Sequence, residues 1–188
     1  MPDQVKKDEG QGVEGVIINR SWAMPSADTL TIKPIAELVA RWQKGKIKTA
    51  DPFARNCSMM MLTNDVNYKT KAAYHLLAKD FLAHPDVVGA DFVLYDPPYS
   101  IRQVKEVYES VGVGFSHRDS TNTIRWTDER DIISSWQKSG DVCVSCGWSS
   151  TCMGKKRGYK IVEILLVSHG AAHNDTIVTV EQKEASLF

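Results

Sequence analysis

Successive segments of this chain end in an acid. KIKTADPF reaches Asp51, MMMLTND reaches Asp65, KTKAAYHLLAKDFL carries Asp80 near its end, and VVGADFVLYDPPY reaches Asp96. Short apolar runs that alternate with helix-period stretches predict an α/β sheet, mostly parallel, with helices on both faces, because parallel neighbours need a crossover between them. In such sheets a ligand binds outside the carboxyl ends of the strands, where the strand order reverses. The repeated acids place carboxylates along that rim.

The intervening segments fit the same architecture. IKPIAELVARWQ sets Ile35, Leu38, Val39 and Trp42 at helical spacing, with Pro34 in the first turn and Gly45 as the stop. KTKAAYHLLAKDFL reads as a helix with room for a short strand. RQVKEVYES has Val104, Val107 and Tyr108 on one helical face, and DERDIISSWQK is a further helix, stopped by Gly140 before the strand DVCVSCGW. YKIVEILLVSH and TIVTVEQ, joined by GAAHND, predict a C-terminal antiparallel hairpin. Asp51 and Asp65 are 14 positions apart, too close for a full helix between two parallel strands, so the first crossover is a turn or a short helix. Residues 1–15 show no periodicity and read as a flexible arm; residues 16–188 read as one domain.

Lys plus Arg and Asp plus Glu both total 23, so no whole-molecule field draws the protein to a polyanion, and any such site is a local patch. No apolar stretch approaches the roughly 20 residues of a membrane span, and MPDQVKKDEGQG lacks a signal-peptide core. The expectation is a soluble, cytoplasmic protein with no membrane partner. Cys143 and Cys146, with Cys152 nearby, have zinc-like spacing, but a fourth ligand is missing and VCVSCGW reads as a buried strand carrying free thiols. His169 and His173 read as turn residues, and no metal is expected.

The strand DFVLY stops at two residues that cannot donate a backbone hydrogen bond. Pro98 holds the residue before it extended, which lets the Pro97 carbonyl face a pocket beside the Asp96 carboxylate. Two acceptors so placed suit a planar amine, whose two N–H hydrogens they can receive while its nitrogen is held in line with an electrophile. Tyr99 adds a ring on which a base turned out of its stack can lie.

DPPY at the end of a buried strand resembles the catalytic motif of the amino-group DNA methyltransferases, which use S-adenosylmethionine to methylate the exocyclic amine of adenine or cytosine. The resemblance runs along most of the chain. TLTIKPIAELVARW, residues 29–42, is similar to the Lys-Pro motif that precedes the cofactor strand, which implies Lys33 and Pro34 near the methionine end of the cofactor. Asp51, Pro52 and Phe53 resemble the start of the cofactor-binding motif, Asp65 the acid that holds the ribose hydroxyls, and Asp80 the acid near the adenine ring. The family's loop usually reads D-P-F-x-G-x-G; here it is DPFARNC, with Arg55 and Cys57 in place of the glycines. That departure implies a reshaped cofactor pocket crossed by Arg55 or Asn56, or a pocket that has lost the cofactor.

The resemblance implies a Rossmann-like class I methyltransferase fold, S-adenosylmethionine as cofactor, and N6 methylation of a flipped adenine in DNA. Asp rather than Ser before the prolines leans toward adenine over N4 of cytosine. No cysteine follows a proline, against carbon-5 chemistry. With no separate target-recognition domain, DNA contacts fall to Arg102, to Arg118, Asn122 and Arg125 in residues 112–125, and to Lys155, Lys156 and Arg157; a homodimer would enlarge the reading surface. Compact methylases of this look occur in bacteriophages, where methylation masks DNA from restriction. The rival reading is a noncatalytic module that keeps the fold and binds nucleic acid or a protein partner.

Overall fold

The computed structural model describes residues 15–110, 112, 126–150, 152–170 and 173–185. Seven strands, β1 (Ile17–Trp22), β2 (Thr49–Asp51), β3 (Leu62–Thr63), β4 (Phe92–Tyr95), β5 (Val142–Gly147), β6 (Tyr159–Ser168) and β7 (Thr176–Lys183), form one sheet in the order β1-β6-β7-β5-β4-β2-β3. β7 runs antiparallel to β5 and β6; every other pair is parallel. The helices are α1 (Lys33–Gln43), α2 (Ala78–Leu82), α3 (Ile101–Ser110) and α4 (Thr127–Trp136), with 3-10 turns at Thr29–Thr31 and Lys155–Arg157. The mostly parallel sheet with its C-terminal hairpin is the architecture the alternating pattern predicts.

β4 shows why the run DFVLY is apolar throughout. Phe92 and Leu94 pack on one face with Ile35, Leu38 and Val39 of α1. Val93 and Tyr95 pack on the other with Phe81 and Leu82 of α2 and Ile133 of α4. A strand buried on both faces cannot alternate with polar residues, and each fully buried side chain of this size contributes about 2 kcal/mol. Cys143, Cys146 and Cys152 are buried thiols in the same layers.

Two elements depart from the sequence reading. KTKAAYHLLAKDFL is helical only over Ala78–Leu82. Its first part runs extended beside β3, where the Tyr74 amide donates to the Thr63 carbonyl at 3.0 Å and the Asp65 amide to the Tyr74 carbonyl at 3.1 Å. Buried Asn64 reinforces this, accepting from the Leu76 amide at 2.9 Å and donating to the Pro52 and Leu76 carbonyls. Tertiary pairing therefore overrides the local helix pattern. The second departure is β1, an edge strand beside β6 that the sequence reading did not anticipate; Ile17, Ile18 and Trp22 lie exposed on it, so it lacks the buried alternation by which strands are recognised. The flexible-arm expectation falls on residues 1–14, outside the described residues.

From β2 the chain moves outward to β3 without an intervening helix, as the short spacing requires, and returns to the other side of β2 as β4. The strand order reverses between β2 and β4, so Asp51 and Asp96 end adjacent strands at the switch point. Among the described residues, no helix is long and apolar enough to cross a membrane.

Candidate active site

A cavity of about 550 Å³ opens at this switch point, within the usual range for small-molecule sites. Asp96, Pro97, Pro98 and Tyr99 from the end of β4 line it together with Pro52, Phe53 and Asn56 after β2 and Asp65 after β3. Eight of the residues singled out in the sequence thus share one cavity.

A capping box holds the DPPY turn. The Ser100 hydroxyl accepts from the Gln103 amide at 3.3 Å, and the Gln103 side-chain oxygen accepts from the Ser100 amide at 3.1 Å and the Tyr99 amide at 2.8 Å. The S-x-x-Q spacing that starts α3 is legible in SIRQ and was not used in the sequence reading. Asp96 is half-buried at the cavity wall, and burial pushes its carboxyl up, while the hydroxyls of Thr29 and Tyr99 oppose that rise. The Tyr99 hydroxyl donates to Asp96 Oδ1, and its ring meets Trp148 edge-on at 5.7 Å. Sequence reasoning assigned Tyr99 to stacking; in this structure its hydroxyl occupies one of the Asp96 acceptor positions.

The carboxylates at β2 and β3 differ from each other. Asp65 lines the cavity, accepting from the Asn67 amide at 2.8 Å through one oxygen and the Arg55 amide at 3.2 Å through the other. An ionised carboxylate has about four acceptor positions, so this acid retains capacity for two hydroxyls. Asp51 lies beneath the wall instead. Its Oδ1 accepts from the Phe53 amide at 2.9 Å, closing the turn after β2, and burial with Asp96 and Asp65 nearby pushes its carboxyl up to about 8.

The other expected cofactor residues lie outside the cavity wall. Lys33 has a side chain 85% exposed and pairs with Glu37 at 3.8 Å. Pro34 serves the first turn of α1. Asp80 is exposed in the first turn of α2, and the cavity wall at that end is instead built from Leu76, Leu77 and Ala78, because the extended run through Tyr74 ends earlier than the helix reading supposed.

Of the residues expected to contact DNA, Arg118, Asn122 and Arg125 lie outside the described residues. Arg102 is exposed at the start of α3 and pairs with Glu106 at 2.7 Å. Lys155, Lys156 and Arg157 precede β6, which runs parallel to β4 and β5, so they sit at the amino ends of the strands, on the rim opposite Asp96. Arg157 is also committed to Asp131 at 2.6 Å and to the Met153 carbonyl at 3.1 Å. The topology thus separates this basic run from the cavity.

Several wall residues escaped sequence reasoning, Ala27, Thr29 and Trp126 among them. Ala27 and Thr29 arrive from the carboxyl end of β1, which carries the segment across the rim. Trp126 packs edge-on against Phe53 at 5.3 Å. Trp126 (φ 42°) and Arg55 (φ 51°) are the two described non-glycine residues with positive φ, and both line the cavity. Such conformations persist where surrounding structure over-determines them and cluster at functional sites. Arg55 therefore keeps a backbone conformation that glycine adopts without strain. Among the described residues, no cluster of three or more His, Cys, Asp or Glu side chains is arranged to hold a metal ion.

No family model and no curated protein matches the chain. The solved structures that resemble it include two methyltransferases. "Putative methyltransferase yhhF" from Escherichia coli superposes with a TM-score of 0.52 at 12% identity, over 87% of this chain and 92% of that one. The N-methyltransferase NodS from Bradyrhizobium japonicum gives a TM-score of 0.50 at 9% identity, over 81% of this chain and 96% of that one. With the strand order, the single antiparallel strand and the cavity at the switch point, these likenesses establish that the chain has the Rossmann-like fold found in methyltransferases.

Proposed function

We propose that this protein transfers a methyl group from S-adenosylmethionine to the exocyclic N6 amine of adenine in DNA. The observation that carries the proposal is the convergence of Asp96 and Pro97, at the end of β4, with Pro52 and Asp65, at the ends of β2 and β3, in one cavity at the switch point.

The wall chemistry fits the cofactor. Asp65 keeps acceptor capacity for a pair of ribose hydroxyls, and Phe53, Leu76 and Leu77 offer apolar surface to a planar ring. When bound, S-adenosylmethionine supplies an electrophilic methyl group. The chain's own residues hold the acceptor: Asp96 and the Pro97 carbonyl receive the two amine hydrogens, fixing the nitrogen and drawing its lone pair out of the ring system. Tyr99 supports the base. A base amine cannot reach a cavity wall of this depth from within a duplex, so the target must be turned out. N4 of cytosine presents the same amine geometry and is the nearest competing target.

Mass spectrometry of nucleosides from DNA incubated with the protein and S-adenosylmethionine tests the reading. N6-methyl-2′-deoxyadenosine is the expected product. N4-methylcytosine would move the target within the same chemistry, and the absence of both, together with no calorimetric binding of S-adenosylmethionine with or without DNA, would leave a noncatalytic module.

A further inference from the structure

The loop after β2 carries a cation where glycine would fit without strain. The left-handed conformation of Arg55 strains any residue with a Cβ, so its backbone gives no reason for arginine. The reason lies in the side chain, which lines the cavity. Among the described wall residues the cations are Arg55 and Lys69. Lys69 lies beyond Asp65 with its ammonium over the Tyr68 ring, whereas the Arg55 charge acts on the Asp96 carboxyl. Lys33, the cation expected at this end, is outside the wall.

The guanidinium is positioned but not saturated. With described residues it hydrogen-bonds the Ala27 carbonyl and lies 3.2 Å from Asp28 Oδ1, an oxygen that has no aligned hydrogen bond. A planar fork with five N–H donors is thereby anchored at one corner and open elsewhere. Acids dominate the surrounding wall, with Asp65, Asp96 and Glu106 all lining the cavity. An anionic ligand group needs a cation there, and Arg55 is the one beside the reacting end. Resting on the methyl-donor reading above, the geometry points to Arg55 as the residue that takes the α-carboxylate of the cofactor's amino-acid arm in a paired hydrogen bond.

Calorimetry with two ligands that differ only in that carboxylate, S-adenosylmethionine and its decarboxylated form, tests this. The unaltered protein is expected to bind the first about 10- to 100-fold more tightly, the range of a charge-assisted hydrogen bond. Arg55→Gly, which removes the backbone strain and so keeps the fold, is expected to bring the ratio to about 1 by weakening S-adenosylmethionine alone. Arg55→Lys restores part of it, since a point cation lacks the fork. An unchanged ratio in Arg55→Gly, or an equal loss for both ligands, overturns the assignment while leaving the methyl-donor reading intact. Failure of the unaltered protein to bind either ligand overturns that reading itself, and the assignment with it.

Discussion

Buried acids in this molecule fall into two groups that behave oppositely. Glu163 in β6 and Glu181 in β7 are surrounded by donors. Glu163 receives both arms of the Arg41 guanidinium at 2.8 and 2.9 Å, the Trp42 indole at 2.8 Å and the Asn19 amide at 3.0 Å, and these hold its carboxyl below the ordinary range. Glu181 accepts the Met153 and Gly154 amides at 2.7 and 2.8 Å, fixing the return from β5 to β6. Asp51 and Asp96, at the switch point, have fewer donors than Glu163, and burial raises both carboxyls. A saturated carboxylate braces a fold; one with fewer donors at a cavity wall, as Asp96 is, keeps acceptor positions for a ligand.

Substitutions should separate the two groups, beginning with the largest effect. Asp96→Ala removes an acceptor for the amine, so methyl transfer is expected to fall about 10³-fold, while urea unfolding moves by less than about 1 kcal/mol. Comparable losses of activity and stability would place Asp96 with the bracing acids. Glu163→Ala reverses the pattern. It leaves the partly buried Trp42 indole without its acceptor, while Arg41 and Asn19 turn to water, and is expected to cost about 1–2 kcal/mol in urea unfolding with little change in turnover per folded molecule.

The smallest effect, taken per pH unit, is a difference in pH slope. Asp51, raised to about 8, holds a proton in the folded state that the unfolded chain releases near 4, so the folded state binds more protons across that window and stability falls as pH rises through it. The slope from one such group is at most about 1.4 kcal/mol per pH unit. Asp51→Asn keeps the acceptor for the Phe53 amide and is expected to flatten this slope in denaturation curves taken between pH 4 and 8. Glu163 acts in the other direction: its contribution is present above its ordinary value of 4.5 and is lost as pH falls through its depressed folded value. A flat wild-type profile between pH 4 and 8 would remove the distinction for Asp51.

The acids also mark how far the sequence could be read. Asp65 and Asp96 could be placed at strand ends because each follows an apolar run, Asp51 because KIKTA leads into an acid-Pro turn, and the Asp51–Asp65 spacing excluded a helical crossover. Asp80 was misplaced in register because AAYHLL has helical periodicity but is held extended by Asn64 and Thr63, partners that only the folded chain brings together. β1 was invisible for a related reason: its stability comes from pairing with β6, and its exposed side chains leave no pattern. Arg55 and Trp126 could be seen as residues but not as left-handed ones, since nothing local demands that conformation. The Lys155–Arg157 run could be seen as a basic patch, but its place on the rim opposite Asp96 follows from strand direction, which the sequence does not carry.

β1 gives the site an unequal anchorage. Through residues 23–28 it leads to Thr29, which touches Asp96, and to Ala27, which holds the Arg55 guanidinium, yet β1 itself is the sheet's outermost strand and exposes most of its side chains to water. Edge elements with little buried surface open locally before the core does. Were β1 to part from β6, the cavity would lose the wall segment that carries Ala27 and Thr29 while β4, β5 and the hairpin kept their pairing, so the most weakly buried strand of the sheet bears directly on the site.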